Sequence, residues 1–205
     1  LLAGPTPDPE DDEEPRESDP VAGASPVPSD SNQAADFIER LRSGFMQLVE
    51  ALDALHRRGV HHRDVKPANT RVTEGNRVVL VDFGLSSRIP TWECPERHGL
   101  RAAGTVDYMA PEQAQNLPPT PAVDLYAVGV MLFEALTGEL PFQGSPRHIL
   151  KWKQENDAPH PRSLAPETPR DLGDLAHELL ARDPLSRPRA EQVLDRLQPR
   201  TQSML

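Results

Sequence analysis

Polar residues in the middle of the chain are of types that can act on a charged group: they are Asp64, Lys66, Asn69 and Asp82. Carboxylate and amide oxygens, such as those of Asn69 and Asp82, are the hard ligands that Mg²⁺ prefers. On an extended loop, Lys66 can point to the same side as Asp64 and place a cation near the same group. Residues of these types could act together on a charged group if the fold brings them to one place.

These residues belong to three short motifs. Residues 62–69 read HRDVKPAN, residues 82–84 read DFG, and residues 110–112 read APE. A predicted helix precedes the first motif, a predicted hairpin separates the first two, and a long loop to about residue 109 separates the last two. In this order the motifs resemble those of a eukaryotic-like (Hanks-type) serine/threonine protein kinase. The resemblance covers the C-terminal lobe, residues 37–198, and the phrases MAPEQA and LTGELPF are similar to bacterial members.

The resemblance implies a reaction and assigns residues to it. By that match, Asp64 accepts or orients the proton of a substrate hydroxyl, and Lys66 places a cation near the γ-phosphate of ATP. Asn69 and Asp82 are the implied Mg²⁺ ligands, and together with Lys66 they bind the nucleotide. Thr105 is expected to bridge Asp64 and Lys66. The implied function is transfer of the ATP γ-phosphate to Ser or Thr hydroxyls of a protein substrate.

Further residues match positions that shape the site in this family. His62 and Phe83 resemble stacked members of an internal apolar spine. Asp124 resembles the acid that holds the backbone of the catalytic loop. Glu112 and Arg187 resemble the ion pair that ties the activation segment to the lower lobe, and a buried pair of this kind is costly to break.

Regulation by phosphorylation is a further implication of the match. Arg63, directly before the catalytic acid, is typical of kinases in which a basic pocket binds a phosphorylated residue of the activation segment. The hydroxyls available in that segment are those of Ser86, Ser87, Thr91 and Thr105, of which Thr91 is favoured. Gly84 completes the metal-binding triplet.

Hydrophobic spacing predicts the elements that carry these motifs. Apolar residues from Phe37 to Leu55 recur at helical intervals, and Gly59 ends that helix. Residues 71–73 and 77–81 are β-rich runs separated by a short turn, which predicts a hairpin. The first two motifs should therefore flank this hairpin.

The second half of the chain is predicted to be helical. Thr120 is the expected N-cap of a strongly apolar helix over residues 122–136. Amphipathic helices are expected near residues 146–156, 169–182 and 189–197. The predicted fold class is α+β and kinase-like, mainly α-helical with a small β hairpin and without the N-terminal lobe. We expect residues 1–35 to be a linker or insertion, residues 36–198 to be the kinase lobe and residues 199–205 to be a tail.

The charge is unevenly distributed along the chain. Of 205 residues, 22 are Lys or Arg, 32 are Asp or Glu and 23 are Pro, for a net charge of −10. Residues 1–35 are acidic and Pro-rich with few large apolar side chains, so we expect a disordered linker or insertion there. A docking tail for a basic partner is the alternative. The rest is nearly neutral, which argues against nucleic acid as a partner.

Cysteine use and hydropathy indicate the compartment. The single Cys94 excludes an internal disulfide and favours a reducing environment, so a cytoplasmic location is expected. The longest apolar run, residues 127–133, is too short to cross a bilayer, so no membrane contact is expected within this segment. The expected partners are ATP and a protein substrate, with fusion to further signalling domains.

Departures from the family pattern keep alternatives open. His61 stands where an apolar residue usually precedes the catalytic loop, and Arg71 stands where an aliphatic residue forms the floor under adenine. No Gly-rich loop or Lys-bearing strand precedes residue 37, so we expect the upper lobe upstream in a longer protein and an isolated chain that is inactive. A non-catalytic kinase-like scaffold and a truncated gene product are the alternatives.

Two smaller alternatives concern single residues. His56, His61, His62 and Asp64 could form a metal cluster, but their loop context and the lack of a second cluster disfavour it. Glu134 either recognises basic residues of the substrate or is an acid at a helix edge.

Overall fold

A computed structural model describes residues 26–28, 30–83, 105–115 and 117–198. In chain order its helices and strands are α1 (Ser31–His56), β1 (Thr70–Val72), β2 (Val78–Leu80), α2 (Thr105–Tyr108), α3 (Pro111–Ala114), α4 (Pro121–Thr137), α5 (Pro146–Glu155), α6 (Pro161–Leu164), α7 (Arg170–Leu179) and α8 (Ala190–Leu197). Short 3₁₀ turns lie at Pro67–Asn69 and Pro184–Ser186. The described part is mainly helical with one antiparallel pair of strands, which confirms the predicted fold class.

Helix α4 is the centre of this fold, because residues around its whole circumference are buried. It begins at Pro121, whose fixed φ suits a first helical turn. Thr120 occupies the N-cap position, but its side chain makes no capping hydrogen bond, so the proline defines the start. Gly138 ends the helix with a φ of 78°, and its N–H donates to the carbonyl of Glu134.

Helices α1 and α7 pack against α4, and α8 packs against α1 and α7, which together form the hydrophobic core. Gly129 lies at a close contact between α4 and α7. A Cβ built at Gly129 would lie 2.7 Å from Cβ of Leu179. The absence of a side chain there therefore lets the two helices touch.

Helix α1 begins earlier than the apolar spacing indicated. Its first residue is Ser31, and the carboxylate of Asp30 accepts hydrogen bonds from the N–H groups of Asn32 and Gln33, both at 3.0 Å. Residues 31–35, which we predicted to belong to the linker, therefore lie in the helix, and this cap is the physical reason. The predicted linker over residues 1–25 and the tail over 199–205 lie outside the described residues.

The hairpin forms where the sequence predicts it. Strands β1 and β2 pair antiparallel, with Thr70 opposite Leu80 and Arg71 opposite Val79. Asn76 takes a φ of 56° in the connecting turn, a left-handed conformation that asparagine tolerates.

Short helices interrupt stretches that were predicted to be irregular. Helix α2 lies inside the long loop expected to continue to about residue 109, and α3 and α6 each begin with a proline. They were missed because a single helical turn gives no hydrophobic period.

Candidate active site

The first turn of α4 holds the loop that carries the predicted catalytic residues. Asp124, only 1% exposed, accepts hydrogen bonds from the backbone N–H groups of His62 at 2.9 Å and Arg63 at 2.7 Å. Arg63 has a φ of 68°, a conformation that costs free energy for a residue with a side chain. The bond to a buried carboxylate stabilises that conformation and so fixes the course of the loop. This is the contact predicted for Asp124.

Asp64 lies at the centre of the loop with two side chains bound to it. Its Oδ2 accepts a hydrogen bond from Nδ2 of Asn69 at 2.8 Å and lies 2.9 Å from Nζ of Lys66. The same Asn69 nitrogen donates to the backbone carbonyl of Asp64 at 2.8 Å. Asn69 is buried and Asp64 is largely so. The three residues whose spacing predicted a common site are therefore brought together by direct contacts.

The end of strand β2 is tied to this loop. The N–H of Val81 donates to the carbonyl of Asn69 at 2.9 Å, and Nε2 of His62 lies 3.3 Å from the carbonyl oxygen of Val81. Asp82 follows, exposed and with a φ of 63°. Asp82 therefore directly follows Val81, the residue whose N–H is bonded to Asn69.

His62 and Phe83 touch, but not as predicted. Their ring centroids lie 5.0 Å apart with the planes inclined at 53°, which is a tilted contact and not a stack. His62 is fully buried, whereas Phe83 is 47% exposed, so this pair is not internal within the described structure. The contact between Nε2 of His62 and the carbonyl of Val81, at 3.3 Å, restricts the orientation of the imidazole.

Glu112 and Arg187 form a buried bidentate ion pair. Nη1 of Arg187 donates to Oε1 of Glu112 at 2.6 Å, and Nη2 donates to Oε2 at 2.8 Å. The guanidinium also donates to the carbonyls of Ala181, Ala122 and Arg182. It lies 4.8 Å from the ring centroid of Tyr126, and burial raises the pKa of that phenol above its ordinary value. Helix α3 is thereby connected to the first turn of α4 and to the segment after α7.

Two contacts of the segment around α2 were not predicted. The hydroxyl of Tyr108, in α2, donates to Oε2 of Glu134, in α4, at 2.6 Å. The carboxylate that we considered for substrate recognition therefore has a hydrogen-bond partner within the chain. Lys153, from α5, is buried and donates to the carbonyls of Val106, Asp107 and Met109. The sequence carried one signal for it, because Lys153 follows the buried Ile149 at helical spacing.

The departure at His61 places a third imidazole near the buried carboxylate of α4. Burial lowers the pKa of His61, Asp124 acts in the opposite direction, and His56 and Arg63 lower it further. The rings of His56 and His61 lie 5.6 Å apart, and Nε2 of His56 lies 2.7 Å from Oδ2 of Asp124. Burial also lowers the pKa of Arg63, again against Asp124. Several basic groups therefore interact with the single carboxylate of Asp124, next to the loop that carries Asp64.

Some predicted site residues cannot be placed. Gly84 and Thr91 lie outside the described residues, and Thr105 is described in its backbone only. The bridge from Thr105 to Asp64 and Lys66 and the phosphorylation at Thr91 therefore stay predictions.

The donor set of the loop fits a magnesium nucleotide. Asn69 and Asp82 offer two oxygen ligands, and Mg²⁺ commonly takes one or two protein ligands and completes its octahedron with phosphate and water. Both hydrogen bonds that Asn69 makes through its side chain use the nitrogen, so the amide oxygen is the atom left to ligate. Among the described residues, no group of three or more His, Cys, Asp or Glu could hold a metal ion.

Comparison with known proteins identifies the class to which this fold and site belong. Residues 31–197 match the family described as the protein kinase domain. The chain therefore belongs to the protein kinase domain family, and the described residues correspond to its mainly helical C-terminal lobe.

Its relatives are serine/threonine protein kinases, mostly bacterial. Probable serine/threonine-protein kinase PknB of Lactococcus lactis is 33% identical over 138 residues, which cover 67% of this chain and 22% of that protein. Serine/threonine-protein kinase PknA of Mycobacterium tuberculosis is 33% identical over 159 residues, covering 73% of this chain and 36% of that protein. Serine/threonine-protein kinase PAK 4 of Homo sapiens is 36% identical over 157 residues, covering 76% and 26%. The resemblance predicted from the motifs is confirmed.

The matched part spans between about a fifth and just over a third of these relatives' own length. Within the described part of the chain, no helix combines the length and apolar character needed to span a bilayer.

Proposed function

We propose that this chain is the catalytic and substrate-binding lobe of an ATP-dependent protein serine/threonine kinase. The observation that carries the proposal is the arrangement around Asp64, whose Oδ2 is held by Asn69 at 2.8 Å and by Lys66 at 2.9 Å. Phosphoryl transfer requires mainly positioning and charge stabilisation, and these contacts fix a carboxylate beside a cation. Such a pair suits a hydroxyl acceptor and a phosphate donor that meet at one point.

Each side chain has a distinct role in this proposal. Asp64 orients the acceptor hydroxyl and takes its proton, with Oδ1 as the free atom of its carboxylate in the described structure. Asn69 keeps that carboxylate in place and, with Asp82, holds Mg²⁺. When bound, the magnesium nucleotide supplies the γ-phosphate and reduces its charge. Lys66 lies where its ammonium stabilises charge on the transferred group.

The acceptor side of the site is the segment that runs from α2 to α3. It is fixed to the helical body by the Glu112–Arg187 pair and by the bond from Tyr108 to Glu134. Gln113 donates to the carbonyl of Arg63 at 3.4 Å, which joins this segment to the catalytic loop. A peptide bound along the segment would therefore lie beside Asp64.

Further parts of the proposal concern the whole protein. We expect an upper lobe upstream, a cytoplasmic location, a protein substrate, fusion to further signalling domains and an acidic linker before α1. Phosphorylation of Thr91, read by Arg63, is the expected regulation. The chain alone is expected to lack activity, because no Gly-rich loop or Lys-bearing strand precedes residue 37 and Phe83 is 47% exposed.

The test is transfer of ³²P from Mg·ATP to a Ser/Thr protein substrate by the full-length natural protein. Asp64→Asn keeps the size of the side chain and removes the proton acceptor, and we expect a loss of about 10²-fold or more in rate. Asp195→Asn, an exposed acid on α8, is the matched control and should leave the rate unchanged. A rate within twofold of wild type for Asp64→Asn would rule the proposal out.

A second candidate function is a non-catalytic scaffold, and Arg71 favours it. The side chain of Arg71 is exposed on β1, opposite Val79, at the position expected to lie under the base. Equilibrium binding of Mg·ATP separates the candidates. If the protein is a kinase, the wild type binds Mg·ATP. If it is a scaffold, the wild type binds no Mg·ATP and the Arg71→Leu variant gains binding.

A further inference from the structure

Lys153 is a buried lysine that the proposed chemistry does not use. It lies on α5 with a side chain that is 1% exposed. Lysines are almost never buried to this extent unless their ammonium group has partners. Its neighbour Lys151 on the same helix is exposed, so the burial is specific to one face of α5.

The partners of Lys153 are three backbone carbonyls. Its Nζ donates to the carbonyls of Val106 at 2.9 Å, Asp107 at 2.5 Å and Met109 at 3.0 Å. An ammonium group has three N–H donors, so donors and acceptors match one to one. Among the described residues, Lys153 makes no salt bridge with a carboxylate within 4.0 Å, so this amine serves the backbone.

Aromatic rings complete the surroundings of the amine. The ring centroid of Tyr126, from α4, lies 5.5 Å from Nζ, and that of Phe142, from the chain before α5, lies 5.9 Å away. Faces of aromatic rings attract cations at these distances. Lys153 is thus enclosed between the helical body on one side and the carbonyls of one segment on the other.

The three carbonyls belong to the segment around α2, which has little structure of its own. Helix α2 is four residues long, and one helical turn is not stable in isolation. The carbonyl groups at the C-terminal end of a helix carry partial negative charge, which a nearby cation stabilises. The conformation of the segment therefore depends on contacts from outside it, and Lys153 supplies three of them.

We propose that Lys153 is a positioning residue, which holds the segment from Val106 to Met109 in the conformation that presents an acceptor hydroxyl to Asp64. The inference rests on the proposed function, since it assigns this segment to the acceptor. Lys153 acts through the segment, and its three hydrogen bonds in the described structure go to that segment and not to residues 62–69. Its loss should therefore weaken binding of the protein substrate and leave binding of ATP intact.

The test uses the full-length protein and two variants at one position. Lys153→Met keeps much of the side-chain volume and removes all donors, whereas Lys153→Arg keeps donors and charge in a different geometry. Lys151→Met is the matched control, because it removes an exposed lysine from the same helix. The measurements are KM for a peptide substrate, KM for ATP, and amide hydrogen exchange over residues 106–115 with the amides of α7 as internal reference.

We expect a graded and local effect. In Lys153→Met, KM for the peptide rises about tenfold and exchange over residues 106–115 quickens about tenfold, as the loss of strong hydrogen bonds requires. In Lys153→Arg both changes are smaller, and in Lys151→Met neither occurs. KM for ATP and exchange in α7 stay at their wild-type values in all three.

Two results would overturn the inference. One is a folded variant at position 153 whose peptide KM and local exchange match those of Lys151→Met. The other is an equal loss for ATP and in α7, which would mark a general structural role. If the wild type transfers no phosphate, the proposed function fails, and the exchange data still decide whether Lys153 holds the segment. If Lys153→Met does not fold, Lys153→Arg decides by the same criteria.

Discussion

Arg187 binds Glu112 through two parallel hydrogen bonds of 2.6 and 2.8 Å in a region where both side chains are buried. The bidentate geometry matches the planar fork of the guanidinium to the two carboxylate oxygens. The pair joins residues that lie far apart in the sequence, so it acts as a tertiary fastening for α3 and for the acceptor segment before it.

Removal of one partner of this pair should be strongly destabilising. In Glu112→Ala the guanidinium stays buried without its carboxylate, and we expect a loss of about 3–5 kcal/mol in the free energy of unfolding. Urea denaturation measures it. The exposed pair Arg40–Asp36 gives the control, because Asp36→Ala should cost less than about 1 kcal/mol. Equal losses in the two variants would contradict the prediction.

The acid of α4 gives a second prediction. Asn at position 124 offers one acceptor oxygen where the carboxylate offers two, so Asp124→Asn leaves the N–H of His62 or of Arg63 without an acceptor. We expect a cost of about 1–3 kcal/mol and faster exchange of those two amides. Asp30→Asn is the control, since asparagine caps a helix as well as aspartate does. Unchanged exchange at both amides would show that the loop does not depend on Asp124.

Replacement by alanine should have opposite effects at two helical glycines, Gly129 and Gly44. In Gly129→Ala the new methyl group meets Cβ of Leu179 at 2.7 Å and its carbonyl carbon at 3.2 Å. Overpacking of this kind costs about 1–3 kcal/mol. In Gly44→Ala, on α1, the nearest atom is 4.0 Å away, so the gain in helix propensity of up to about 1 kcal/mol should prevail. Thermal unfolding of both variants tests the prediction, which fails if Gly129→Ala is the more stable.

The burial of Lys153 predicts how stability varies with pH. Burial lowers the pKa of this amine from its ordinary value of 10.5 to about 7 in the folded chain, with Asp107 acting in the opposite direction. Between these values the unfolded chain binds more protons than the folded chain, so this lysine makes the free energy of unfolding rise with pH. The slope is at most about 1.4 kcal/mol per pH unit.

The comparison of wild type with Lys153→Met isolates this contribution. The difference between their unfolding free energies should increase from pH 7 to pH 9 in favour of the wild type, because the cost of burying a charged amine is relieved. Curves that run parallel over this range would mean that Lys153 does not titrate there.

The sequence was sufficient where a residue's role follows from a motif. Asp124 and the Glu112–Arg187 pair could be predicted because they occur at recognisable positions, and the structure shows the contacts. The hairpin was predictable because β-rich runs flank a turn. The hairpin could be predicted because it is local in sequence. The other contacts could be predicted because the motifs that contain these residues are complete in the chain.

The contacts that were missed depend on tertiary arrangement. A lysine in an amphipathic helix such as α5 is assigned to solvent from the sequence, and the burial of Lys153 becomes evident only when the position of the α2 segment is known. The exposure of Phe83 likewise depends on what lies over it. The cap at Asp30 was detectable, since Gln33 follows at the third helical position, but the Pro-rich composition before it concealed the start of α1.

The carboxylate of Asp124 also bears on how the chain folds. Its bonds to His62 and Arg63 join residues that are 62 and 61 positions apart, and contacts between distant residues form slowly because long loops must close first. Residues 62 and 63 are held in their native course only when α4 is in place to offer Asp124. We therefore expect the loop to become native together with the docking of α4, so that a chain in which α4 is not in place would not present Asp64 to a substrate.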